Sequence, residues 1–191
     1  IYTLSLHDAL PIWLCVPIIK AEILSNRSEK KAGTIIEEND DAIVMATVDY
    51  DIKLYKDHLL DLIKVCACDD IDTLSCEKHL EWYRDEREKE HGWNLLMVAA
   101  YNHSLQVIPY LIKNGFNVNA VNYNGTSVLM YAKDGVILHN EYDMTLLELL
   151  LVNGANIQQK DFYGYDILNY VKTQSQHIYN WFAEQIKIND I

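Results

Sequence analysis

The sequence is poor in residues that break or stiffen a chain. Three prolines and seven glycines among 191 residues exclude collagen-like and proline-rich architectures. Four cysteines, Cys15, Cys66, Cys68 and Cys76, fall in no paired framework, which argues against a disulfide scaffold and for a reducing, cytoplasmic setting. Basic residues are also scarce: 16 Lys and Arg stand against 28 Asp and Glu, for a net charge of -12. That balance disfavours nucleic acid and anionic membranes as partners, because both are held by basic patches that displace counterions. The leader-like stretch LPIWLCVPII is too short and too interrupted by proline to span a bilayer. Apolar character is plentiful at 50% of residues, enough for a continuous core and too much for a disordered chain.

Signatures of chemistry are missing too. The chain has no Gly-rich phosphate loop, no G-x-S-x-G elbow and no H-E-x-x-H helix, so no catalytic residue, cofactor or metal ligand is assigned. Cys66, Cys68, Cys76 and His79 have the order of a metal site, but Cys66 and Cys68 on one helix would point about 200° apart. Buried structural thiols are the better expectation. His91, His103, His139 and His177 fall at unrelated places and read as turn or surface residues. Glu141 and Asp143, near His139 and Tyr142, read as a solvated loop.

The first twelve residues, IYTLSLHDALPI, carry neither helical nor strand periodicity. They resemble the end of a widely used sequencing adapter translated in frame. On that reading 1–12 carry no fold or chemistry, and the native N-terminus is expected to lie upstream of Trp13.

Self-similarity organises the rest. Copies begin at Gly92 (GWNLLMVAAYNH), Gly125 (GTSVLMYAKDGV) and Gly164 (GYDILNYVK), 33 and then 39 residues apart. The six additional residues fall between Lys133 and Thr145. Leu96, Leu129 and Leu168 share one apolar position, with Ala99 and Ala132 small where helices must approach closely. Leu111-Ile112 and Leu150-Leu151 precede Gly115 and Gly154, each suited to a left-handed helix end. Asn94, Ser127 and Asp166 are natural N-caps.

These features resemble the ankyrin repeat over about Glu90 to Phe182. The resemblance implies an all-α helical solenoid in which paired helices alternate with finger-like connections. Met97, Met130 and Asn169 stand where that family has histidine, so stacking is expected to rest on apolar contact. The resemblance also implies a protein–protein interaction module, non-catalytic and monomeric, with another protein as partner. Finger tips and the concave face of the first helices would carry the binding. Those positions are Glu90, His91, Trp93, Tyr101 and Asn102 in the first copy; Tyr123, Asn124, Thr126 and Asp134 in the second; and Phe162, Tyr163, Tyr165 and Thr173 in the third. Large, stiff rings are favoured at interfaces. The competing expectation is that Trp93, Tyr123 and Phe162 merely pack against a neighbouring copy.

Around the repeats, residues 52–89 read as a helical capping hairpin, with helices over Leu54–Val65 and from Leu74 to about Arg87, Leu80 and Tyr83 facing inward. Gln174–Lys187 reads as a closing helix carrying Ile178, Trp181, Phe182 and Ile186 on one face. The insertion Gly135–Thr145 reads as a lengthened loop. Residues 13–51 read as a strand-rich remnant, a β-hairpin formed by Thr34–Glu38 and Ala42–Val48 around Asn39-Asp40-Asp41. A lone hairpin is rarely stable in water, so it needs a pairing partner. This hairpin faintly resembles the closing strands of carbon–nitrogen hydrolases, whose catalytic residues would lie upstream. The alternative function is therefore an accessory or regulatory module of a larger enzyme.

Overall fold

The computed structural model describes residues 16–189, which form two units divided after His58. The adapter reading of 1–12 and the position of Cys15 lie outside the described residues.

In the first unit the expected hairpin exists: β2 (Ile35–Glu38) and β3 (Ala42–Met45) pair antiparallel around a turn in which the Asn39 side chain accepts from the Asp41 and Ala42 amides. It is more than a lone hairpin. β1 (Ile18–Ile23) and β4 (Ile52–Lys56) complete a four-stranded antiparallel sheet in the order β1-β4-β3-β2. The all-α expectation is thereby overturned. Ile52 and Leu54 are buried and Lys53 between them is not, the period-two alternation of a half-buried strand. The sequence pattern places Leu54 in a helix because the leucines that follow supply a helical pattern of their own. Ile43, Met45, Ile52 and Leu54 form the core of this sheet, flanked by Val16, Ile18 and Ile35. Buried Asp51 is satisfied by the amide and hydroxyl of Ser28.

The second unit is a stack of helix pairs. They are α1 (Leu59–Ala67) with α2 (Ile71–Ser75), α3 (Leu95–Tyr101) with α4 (Val107–Lys113), α5 (Val128–His139) with α6 (Thr145–Val152), and α7 (Ile167–Gln174) with α8 (Gln176–Asn189). The first helices pack in sequence, α1 on α3, α3 on α5 and α5 on α7. Leu96, Ala99, Leu129 and Ala132 are buried between them. Each fully buried leucine contributes about 1.5–3 kcal/mol of apolar transfer. The three expected caps are made: Asn94, Ser127 and Asp166 accept from the amides of Met97, Met130 and Asn169.

The expected capping hairpin is itself a repeat. α1 begins only at Leu59, and the expected second helix is replaced by short α2 followed by a 3-10 turn, Leu80–Tyr83, which buries Leu80 and Tyr83 as anticipated. Asp69, in a left-handed turn after α1, accepts from the amides of Gln106 and Val107 and so caps α4, which has no side-chain cap of its own. The Ser104 hydroxyl donates to the Cys66 carbonyl at 2.7 Å. Cys66 is buried and its thiol is pushed up to about 12 by that burial and by Asp69. Cys68 and Cys76, expected inside, are exposed: each falls one residue past the end of a helix, where the chain turns away from the packed face.

The insertion is not simply a loop. Gly135–His139 continues α5 by more than a turn, and Asn140–Met144 then returns the chain to α6. Gly135 makes this possible: a β-carbon there would collide with the carbonyl oxygen of Ala100 and stand 2.8 Å from that of Tyr101. The added turn lays His139 on His103, ring centroids 5.2 Å apart. At the far end Ile178 and Phe182 of α8 are fully buried, with Trp181 edge-on to Phe182.

Candidate protein-binding surface

Three connections between repeats are built by one device. Asn122 accepts from the amides of Asn124 and Thr126, all through Oδ1, and Asp161 accepts from those of Tyr163 and Tyr165 in the same way. Glu88 does this for the first connection, taking the amides of Glu90, His91 and Trp93. That connection is closed by Glu88 and Trp93, one residue further apart than Asn122 and Thr126 or Asp161 and Tyr165. Glutamate, one methylene longer, spans the difference. Burial pushes the carboxyls of Glu88 and Asp161 up, but the amide donors, with the Tyr170 hydroxyl at Asp161, leave both below their ordinary values. Neither Glu88 nor Asp161 was singled out in the sequence, although the recurrence of Asn122 and Asp161 three residues before a glycine was the available signal.

The finger rings are set by these turns. Tyr123 covers Gly92, where a β-carbon would lie 2.6 Å from the ring, and Phe162 covers Gly125 in the same manner at 2.7 Å. Both glycines have positive φ, so these positions demand glycine twice over. The packing expectation is thus half right for these rings: each has one face on its neighbour and remains 53% or 75% exposed. Tyr163 and Tyr165 are exposed at 71% and 53%, Tyr165 standing edge-on to Tyr170. Asn124 is exposed and its carbonyl takes the Phe162 amide; Thr126 is half-buried.

On the inner helices Trp93, Tyr101 and Asn102 come together in a shallow cleft with Met97, Val98 and Tyr131. The indole N–H of Trp93 donates to the Tyr131 hydroxyl at 2.6 Å, and Tyr101 meets the Tyr131 ring edge-on. His91 stacks on Trp93, and exposed Glu90 adjoins it. Asp134 is drawn away to the buried Lys133 ammonium, which also reaches Gln174 and the Tyr170 ring. Thr173 lies exposed on α7 with its hydroxyl on the Tyr170 carbonyl. Tyr131, the hub of the cleft, was missed; its signal was Tyr170 at the same place in the next copy.

The profile of ankyrin repeats, in three copies, matches residues 62–161, just over half of the chain. The chain belongs to the ankyrin-repeat family. The match starts inside α1, so the first ankyrin repeat is the α1–α2 pair, whose sequence reads as a cap. Over 77 residues, 40% of the chain, it is 35% identical to the Ankyrin repeat and SAM domain-containing protein 6 of Mus musculus. The chain spans 8% of that relative's length. Among the described residues no helix is long and apolar enough to cross a membrane. Ankyrin repeats of this kind make the second unit a protein–protein interaction module.

Proposed function

We propose that the fingers and inner helices of the ankyrin unit form one protein-binding surface, and that the module works by binding rather than catalysis. The observation carrying this reading is the row of rings at Tyr123, Phe162, Tyr163 and Tyr165. All four are more than half exposed, and their backbones are held by Asn122, Asp161 and the Asn124 carbonyl. Rings presented on a preorganised backbone lose little rotamer freedom on binding. Glu90, His91, Trp93, Tyr101 and Asn102 extend the surface along the concave side, with Asn124, Thr126, Asp134 and Thr173 at its margin. The partner is a protein, met by a monomer in the cytoplasm.

The test is to capture partners with the purified chain, reconstitute the strongest as a binary complex, and compare Phe162→Ala and Tyr163→Ala. Each is expected to weaken binding by about 2 kcal/mol with an unchanged circular dichroism spectrum. Unchanged affinity in both variants overturns the reading. The accessory-arm reading is favoured only by the separate sheet unit; a chain without residues 1–58 binding the same partner equally well supports a recruitment role for the repeats.

A further inference from the structure

Tyr131 and Tyr170 occupy the same place in successive repeats and are wired in opposite directions. At Tyr170 the hydroxyl donates its proton to the Asp161 carboxylate. At Tyr131 the hydroxyl accepts twice, from the Trp93 indole at 2.6 Å and from the Asn122 amide nitrogen at 2.9 Å. The orientation of Asn122 is not in question, because its oxygen is committed to the amides of Asn124 and Thr126. A phenol oxygen with two donors aimed at it has filled its acceptor capacity, and its remaining capacity is one O–H donor. Among the described residues that proton has no acceptor.

We propose that Tyr131 is a specificity-determining donor: the cleft of Trp93, Tyr101 and Tyr131 takes an uncharged, extended peptide segment of the partner and gives the Tyr131 proton to one of its carbonyl oxygens. This deepens the binding reading above and rests on it. Three features favour that occupant. The cavity has ≈ 20 Å³ open to the centre of a water-sized group, enough to seat a carbonyl oxygen or a methyl. The walls are the three rings with Met97 and Val98, and Asn102 is the one amide among them, which matches a backbone bearing small residues. Burial, and after it the negative charges of Asp134 and Glu88, hold the Tyr131 hydroxyl above its ordinary value against the hydrogen bonds from Trp93 and Asn122. That field repels a carboxylate or phosphate, while a cation has no acceptor to offer an O–H.

The probe is an alanine tripeptide capped at both ends, followed by NMR through the Trp93 indole N–H resonance, with acetate and methylammonium as charged counterparts. A saturable shift with the tripeptide and none with either ion is expected. Tyr131→Phe should abolish it. Asn122→Asp should reduce it at least tenfold with the fold intact, since a carboxylate there takes the Tyr131 proton as Asp161 takes that of Tyr170. Equal response in Asn122→Asp, a stronger response to acetate or methylammonium, or no response to the tripeptide overturns the proposal. If the reconstituted partner still binds while the tripeptide does not, the cleft proposal fails and the protein-binding reading stands.

Discussion

Phe162 rests on Gly125: the site of a β-carbon lies 2.7 Å from the ring and 2.8 Å from the Phe162 amide nitrogen. Tyr123 on Gly92 is the same relationship one repeat earlier. Successive fingers therefore overlap, and an aromatic tip can be exposed and still fixed. This joins the stability of the stack to the proposed binding surface.

Gly125→Ala is expected to cost about 1–2 kcal/mol for the left-handed backbone and a further 1 kcal/mol or so for displacing Phe162. Gly154→Ala shares the positive φ, but its added methyl meets nothing within 4 Å. Urea midpoints of the two variants should differ, with Gly125→Ala the lower; equal midpoints would mean that the Phe162 contact carries no energy.

Gly135→Ala reverses the usual rule for helices. Alanine should gain about 1 kcal/mol over glycine in a helix interior, yet the new methyl meets the carbonyls of Ala100 and Tyr101, which belong to backbone and cannot swing aside. Net destabilisation of at least about 1 kcal/mol is expected. A stabilised variant in thermal melts contradicts the packing of α5 on α3.

Acid should loosen the seam between the second and third repeats. Burial, and then the neighbouring His139, hold His103 below its ordinary 6.5, against the pull of Asp143 and Asp69. The unfolded chain then binds the proton more readily than the folded one, so stability present above pH 6.5 is lost as pH falls from there through the lower folded value. His103→Asn tolerates the left-handed backbone at this position (φ 57) and should flatten the loss of urea midpoint over that window. A slope identical to the parent protein's excludes His103 as its source.

Asp161→Asn makes the third connection chemically like the second. Burial, with the Asp161 hydrogen bond and charge, pushes the Tyr170 hydroxyl up to about 12. Removing the charge and the acceptor while keeping the burial should bring the phenolate titration part of the way back toward 10. Ultraviolet titration reads this directly, and no movement would mean that burial alone sets it.

Much of the stack was legible because repetition exposes it. Asn94, Ser127 and Asp166 cap as expected, and Leu96 and Leu129 are buried as expected. The first repeat escaped notice because it lacks an Asn-Gly pair after α2, and its Cys66 and Ala67 do not form an alanine pair. β4 was misread because a five-residue apolar alternation abuts a helix rich in leucine, and short segments do not separate the two periods. Tyr131 was passed over because hydroxyl wiring depends on partners distant along the chain.

By itself the sequence determined where the copies at Gly92, Gly125 and Gly164 begin, that Asn94, Ser127 and Asp166 cap their first helices and that Leu96 and Leu129 go inside, because caps and apolar periods act over a few neighbouring residues. Only the tertiary structure decided that β4 joins a sheet, that the insertion prolongs α5, that two histidines meet, and that Tyr131 and Tyr170 point their protons in opposite directions. Those outcomes depend on contacts between residues tens of positions apart, where shape and hydrogen-bond supply, not local preference, select the arrangement.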